Sequence, residues 1–99
     1  MSANIIFFRA LGDPRRLRII EVLANGPRNV GQISAHLGIA QSGVSRHLRI
    51  LTDSGFVRAR ASGQERIYAL QPEAFVELGD WAARYSAHLA PSLPNSSHP

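Results

Sequence analysis

With 99 residues and 44% apolar content the chain makes one small domain with a modest core, and it holds no apolar run approaching the roughly 18 residues that span a bilayer. It has no cysteine, which excludes disulfides, thiolate metal sites and a thiol nucleophile. The net charge of +4 is unevenly placed: residues 1–70 hold ten arginines against four acids, residues 71–99 one arginine against three, and all eleven cations are arginine. A basic stretch of this kind calls for a polyanionic partner, and guanidinium groups grip phosphate and guanine edges in a two-pronged fork. A genomic preference for arginine would also remove lysine, so the clustering carries more weight than the residue type.

The opening MSANIIFFRALGD has no basic region ahead of its short apolar segment, so an unexported, soluble, cytoplasmic protein is expected. Residues 3–11 are apolar enough for a short helix or a packed arm. Asp13 followed by Pro14 is a helix start, and Leu17, Ile20, Leu23 and Ala24 are spaced to face inward on a helix ending at Asn25-Gly26. The next helix opens with Asn29 and Gln32, the spacing of a capping box; Val30, Ile33 and Leu37 face inward and Gly38 closes it.

After the short turn GIA comes AQSGVSRHLRIL. Val44, Leu48 and Leu51 recur at the spacing of one helix face, and Gln41, Ser42, Ser45, Arg46 and Arg49 fall on the other. That second face holds short hydrogen-bonding groups and cations, where an ordinary solvated helix carries Glu and Lys. Ala40 gives this helix no capping side chain and Gly43 weakens its first turn, so the turn is expected to be held loosely until something binds.

From Phe56 the period changes to two. FVRARA alternates, SGQ is a turn and ERIYAL alternates again, a β-hairpin carrying Arg58, Arg60 and Arg66. Gln71-Pro72 then starts a last helix, in which Phe75, Leu78, Ala82, Tyr85 and Leu89, with Trp81 beside them, form a heptad stripe suited to another helix. Residues 91–99 have the composition of a disordered tail. The expected architecture is mainly α with a β-hairpin, an α+β chain of five helices and a two-stranded wing: a winged helix-turn-helix in a single domain over residues 1–90.

The chemistry of the helix beginning at Gln41 suits the major groove, where residues of the first turn must be short or bidentate. Gln41, Ser42, Ser45 and Arg46 meet that requirement; His47 and Arg49 lie farther along, within reach of phosphates, and Arg60, Gln64 and Arg66 of the wing would follow the backbone toward the minor groove. An enzyme is not expected. No nucleophile, histidine and acid come together in a supporting motif and no glycine-rich phosphate loop exists, while Ser45, Arg46 and His47 diverge around their helix by about 100° per residue.

ALGDPRRLRIIEVL followed by NVGQISAHLGIAQSGVSRHLRILTDSGFVRARASGQERIYAL resembles the ArsR/SmtB family of bacterial winged-helix repressors across residues 9–70. The resemblance implies a homodimer placing two such helices in successive major grooves of a palindromic double-stranded DNA operator. It implies operator contacts from Gln41, Ser42, Ser45 and His47, and dimerisation through the first and last helices, with Ile5 and Phe8 joining Phe75, Leu78, Trp81, Ala82, Tyr85 and Leu89. Many relatives sense metal through a Cys-x-Cys pair, where this chain has Asn29-Val30-Gly31. Others use spaced Asp and His residues on the last helix, where this chain has Glu73, Glu77, Asp80 and His88. VELGDWAARY is closer to the metal-independent branch, so no metal and no other cofactor is expected. The alternatives are a winged-helix protein-interaction module, serving a protein co-regulator, and a metal-responsive regulator with a non-cysteine site.

Overall fold

The computed structural model describes residues 3–89, with side chains from Ile5 to Ala87. The order is α1 (Ala3–Leu11), α2 (Pro14–Leu23), α3 (Val30–Leu37), α4 (Gln41–Asp53), β1 (Val57–Ser62), β2 (Glu65–Leu70) and α5 (Pro72–Leu89). The tail at 91–99 and the side chain of Leu89, which the heptad stripe includes, lie outside the described residues.

Local chemistry sets the boundaries of α2 and α3. The Asp13 carboxylate accepts the Arg15 N–H at 2.8 Å with Pro14 at the first helical position. In α3 the capping box closes both ways: Gln32 N–H donates to Asn29 Oδ1 at 2.8 Å, and Asn29 N–H donates to Gln32 Oε1 at 2.9 Å. Gly38 ends α3 at φ 70°, a left-handed conformation that glycine adopts without a Cβ penalty. α4 has no such device, because Ala40 makes no side-chain cap; the helix is nonetheless formed from Gln41.

β1 and β2 pair antiparallel from Val57↔Leu70 to Ser62↔Glu65, leaving Gly63-Gln64 as a two-residue turn with Gly63 at φ 65°. The core gathers Phe7 and Ala10 of α1, Ile19 and Leu23 of α2, Ile33 and Leu37 of α3, Val44, Leu48 and Leu51 of α4, Phe56, Val57 of β1 and Ala74 of α5. Phe56 joins the two ends of the chain, with ring centroids 5.0 Å from both Phe7 and Phe75 in tilted contacts.

The inward face of α2 differs from the one its apolar spacing predicts. Ile19 and Leu23 are buried, Ile20 is half-buried, Ala24 is exposed and Leu17 stands 45% exposed. The inward stripe is Arg16, Ile19 and Leu23, and a charge at its head disguises it. Arg16 can occupy that stripe because the carbonyls of Arg9 and Ala10, at the end of α1, accept hydrogen bonds from its guanidinium.

On the far side of α1 and α5 the packing leaves apolar groups outside. Phe8 meets Trp81 edge-on at 4.9 Å and Trp81 meets Tyr85 at 5.0 Å, while Ile5, Phe8 and Tyr85 stay largely exposed. Phe75, Leu78 and Trp81 are half-buried and Ala82 is exposed, so the heptad stripe of α5 is shared between this chain's own α1 and open solvent.

Candidate nucleic-acid interface

Burial divides α4 as its periodicity predicts. Val44, Leu48 and Leu51 are sealed in the core, whereas Gln41, Ser42, Ser45, Arg46 and Arg49 are all exposed. The amide and hydroxyl groups lie at the N-terminal end and the guanidinium groups follow, so the helix presents hydrogen-bonding groups first and charge after them. A major groove about 12 Å wide accepts such a helix, and its base edges are what short polar side chains reach.

The approach to this helix is shaped by α3 and the wing. Gly31 lies beside Gln41 and Asn29: a Cβ there would stand 3.6 Å from Gln41 Nε2 and 3.4 Å from Asn29 Oδ1, both ordinary contacts. A concavity of about 470 Å³ separates the start of α3 from the wing, lined by Asn29, Val30, Gly31, Ser45, Glu65, Arg66 and Tyr68. Its outer wall is fixed in place. Arg28 and Tyr68 exchange two backbone hydrogen bonds of 3.0 and 2.8 Å, which add a third rung beside the hairpin, and the Asn29 amide donates to the Glu65 carboxylate. Sequence reasoning missed this tether. The residues are about 40 positions apart, and Arg28 carries no pairing signal of its own.

The wing arginines do not act as one row. Register puts Val57, Ala59, Ala61, Arg66, Tyr68 and Leu70 on one face and Arg58, Arg60, Glu65, Ile67 and Ala69 on the other. Arg66 thus shares the concavity with Ser45, while Arg60 and Arg58 border a different groove with Pro27 and Ile67; Gln64 sits at the tip between them. By register the two cations Arg60 and Arg66 flank the wing.

His47 also departs from its neighbours. It is half-buried, and its Nδ1 lies 3.2 Å from Arg16 Nη1. Arg16 has the other arms of its fork on α1, Nε donating to the Ala10 carbonyl and Nη2 to the Arg9 carbonyl at 3.1 Å. Nothing in the spacing of Arg16 marks it as the link between α1, α2 and the middle of α4.

Among the described residues the other ionisable groups make no cluster of this kind. Glu73, Glu77 and Asp80 lie exposed on α5, and among the described residues no three of His, Asp and Glu gather as metal ligands would. The Asp13 carboxyl titrates below the ordinary 3.8, chiefly because it accepts the Arg15 N–H. Among the described residues no helix is long and apolar enough to cross a membrane.

Comparison with known proteins agrees with this geometry. Residues 13–59, from the cap of α2 into β1, match the family model described as bacterial regulatory protein, arsR family. A probable mercury resistance operon repressor of Streptomyces lividans is 42% identical over 64 residues, which cover 65% of this chain and 51% of that protein, so the chain spans only about half its length. The HTH-type transcriptional regulator NmtR of Mycobacterium tuberculosis is 36% identical over 91 residues, covering 92% of this chain and 75% of the relative. Among solved structures, the homodimeric winged helix-turn-helix DNA-binding domain of a possible ArsR-family regulator from Mycobacterium bovis superposes with a TM-score of 0.68 at 27% identity, over 98% of this chain and 87% of that one. The helix order, the tethered two-stranded wing, the polar outer face of α4 and these likenesses converge: the chain is a winged helix-turn-helix member of the arsR family of bacterial regulatory proteins.

Proposed function

We propose that the chain is a sequence-specific transcriptional repressor that binds a palindromic operator as a homodimer in the cytoplasm. The observation that carries this reading is the outer face of α4, where Gln41, Ser42, Ser45, Arg46 and Arg49 stand exposed directly behind a fully buried anchor row. A protein-docking face would be expected to present aromatic or aliphatic anchors there. Gln41, Ser42, Ser45 and Arg46 read base edges. Arg49 and Arg66 neutralise phosphates along the groove bordered by α4 and the inner wing face, and Arg60 does so from the outer face. Dimerisation uses the row of Ile5, Phe8, Trp81 and Tyr85. The homodimeric Mycobacterium bovis domain supports that assembly, and the Streptomyces lividans repressor supports the sign of regulation.

Selection of bound duplexes from a random pool, using the purified full chain, tests this directly. Two inverted half-sites about one helical turn apart, roughly 10 base pairs, are expected. Gln41→Ala should relax preference at one base step by about 1–3 kcal/mol, whereas Arg60→Ala should weaken binding to every sequence and lower the slope of log affinity against log salt by about 1. Identical effects of the two substitutions would overturn this division of labour. Failure of the wild-type chain to shift any duplex at low salt would overturn DNA binding itself.

A further inference from the structure

We infer that Arg16, remote from the outer face of α4, is a positioning residue for DNA binding: it fixes the ring of His47 so that a neutral Nε2–H is offered to a phosphate oxygen. The inference rests on the DNA-binding function proposed above and assigns a distinct role to each of the two residues.

A guanidinium has five N–H donors and no acceptor, so the 3.2 Å contact between Arg16 Nη1 and His47 Nδ1 is a hydrogen bond only when Nδ1 presents its lone pair. The ring proton must then sit on Nε2. The two ring nitrogens diverge, so holding Nδ1 inward against α2 turns the Nε2–H away from Arg16. The ring is half-buried, with part of it open to solvent, on the helix whose outer face carries Ser45 and Arg46.

Arg16 is itself unusually well held. Its side chain is 13% exposed, its Nε donates to the Ala10 carbonyl, its Nη2 donates to the Arg9 carbonyl at 3.1 Å, and Asp13 Oδ2 lies 4.0 Å from Nη1. The Arg9 and Ala10 carbonyls belong to the last turn of α1, where helix geometry leaves acceptors without helical donors; that of Arg9 also accepts the Gly12 N–H at 3.3 Å. The fork therefore caps α1 with two of its arms, and the direction of the third follows from its planarity. A lysine ammonium has no such plane and would fix neither the carbonyls nor the ring.

The consequence is a phosphate contact that adds no charge to the protein. It lowers operator affinity when lost but releases no counterion, so unlike the contacts of Arg49, Arg60 and Arg66 it leaves the salt slope unchanged.

Four variants of the full chain and one spectrum test this. In wild type, 15N NMR of His47 should show an unprotonated Nδ1 and a protonated Nε2. His47→Asn places an acceptor near Nδ1 and lacks the distal donor; it should keep the wild-type unfolding midpoint and lose about 5- to 20-fold in affinity for every duplex, the size of one hydrogen bond, with the salt slope unchanged. His47→Gln places a donor near Nε2 and should recover most of that loss. Arg16→Lys should cost a similar factor, and Arg16→Lys combined with His47→Asn should lose far less than the product of the two single effects. A dominant Nδ1–H tautomer, wild-type affinity in His47→Asn, or a loss confined to one base step would overturn the inference. If wild type binds no duplex, the DNA-binding proposal falls on its own, and the tautomer still judges the Arg16 contact.

Discussion

Ala40→Ser is the substitution whose effect follows most directly from the geometry of α4. Ala40 sits at φ −62°, ψ 147°, extended as a cap residue should be, and its carbonyl already accepts the N–H groups of Gly43 and Val44 at 3.0 and 3.1 Å. What is absent is a side-chain oxygen. Asp13 and Asn29 supply one at the starts of α2 and α3, each accepting a backbone N–H at 2.8 Å. A serine hydroxyl at position 40 would do the same for the first turn of α4 without moving the backbone, and such a cap contributes about 1 kcal/mol, in a range of roughly 0.5–2. For a domain of this size that corresponds to a rise of about 4–8 °C in unfolding midpoint, measured by circular dichroism at fixed protein concentration, because dimerisation would otherwise shift the midpoint. The DNA measurement then locates the benefit. The first turn of α4 is formed from Gln41, so the midpoint is expected to move and operator affinity to stay near wild type; a gain of up to about fivefold in affinity, the equivalent of 1 kcal/mol, in place of the midpoint shift would show instead that the turn orders only on the operator. A variant no more stable than wild type would refute the capping argument.

Two further outcomes are expected. Asp13→Asn keeps a capping oxygen but cannot titrate. Since Asp13 is pulled below its ordinary value by the Arg15 N–H, its contribution is present above that value and is lost as pH falls through the lowered one, so the variant should lose stability less steeply in acid than wild type; superimposable midpoint-against-pH curves would contradict this. Trp81→Glu places a charge between Phe8 and Tyr85 on the α1–α5 row and should convert the proposed dimer to monomer in sedimentation, weakening operator binding steeply at low protein concentration. An unchanged dimer would move the interface elsewhere.

Much of the fold is legible because neighbouring residues announce it. Asp13-Pro14, the Asn29/Gln32 box, Gly38 and the change of period at Phe56 are local signals, and each bounds an element where the structure has it. The anchor row of α4 is legible for the same reason, since Val44, Leu48 and Leu51 repeat within three turns. What the sequence hides depends on distant partners. Leu17 reads as a core residue because apolar side chains are what periodicity counts; Arg16 takes the inward stripe because the carbonyls at the end of α1 accept its hydrogen bonds. Arg60 and Arg66 look equivalent until strand register assigns them to opposite faces, and the Arg28–Tyr68 bridge has no counterpart in any local pattern.

These distant contacts bear on how assembly and DNA binding connect. α1 is only nine residues long, too short to be stable alone in water, and it packs through Phe7 and Ala10 against the core while offering Ile5 and Phe8 outward. Its last carbonyls are held by Arg16, and Arg16 also holds His47 in the middle of α4. A partner subunit that covers Ile5 and Phe8 therefore steadies the helix on which Arg16 is anchored. On the proposed reading, dimerisation does more than bring two α4 helices to the spacing of two half-sites: within each protomer it firms the support behind a phosphate donor. Operator affinity should then fall on dissociation by more than the loss of bivalency alone, and a single-chain dimer carrying Ile5→Ala and Phe8→Ala in both halves separates the two contributions, because bivalency is retained while the cover over α1 is weakened. Wild-type affinity in that single-chain dimer would show that α4 takes nothing from α1.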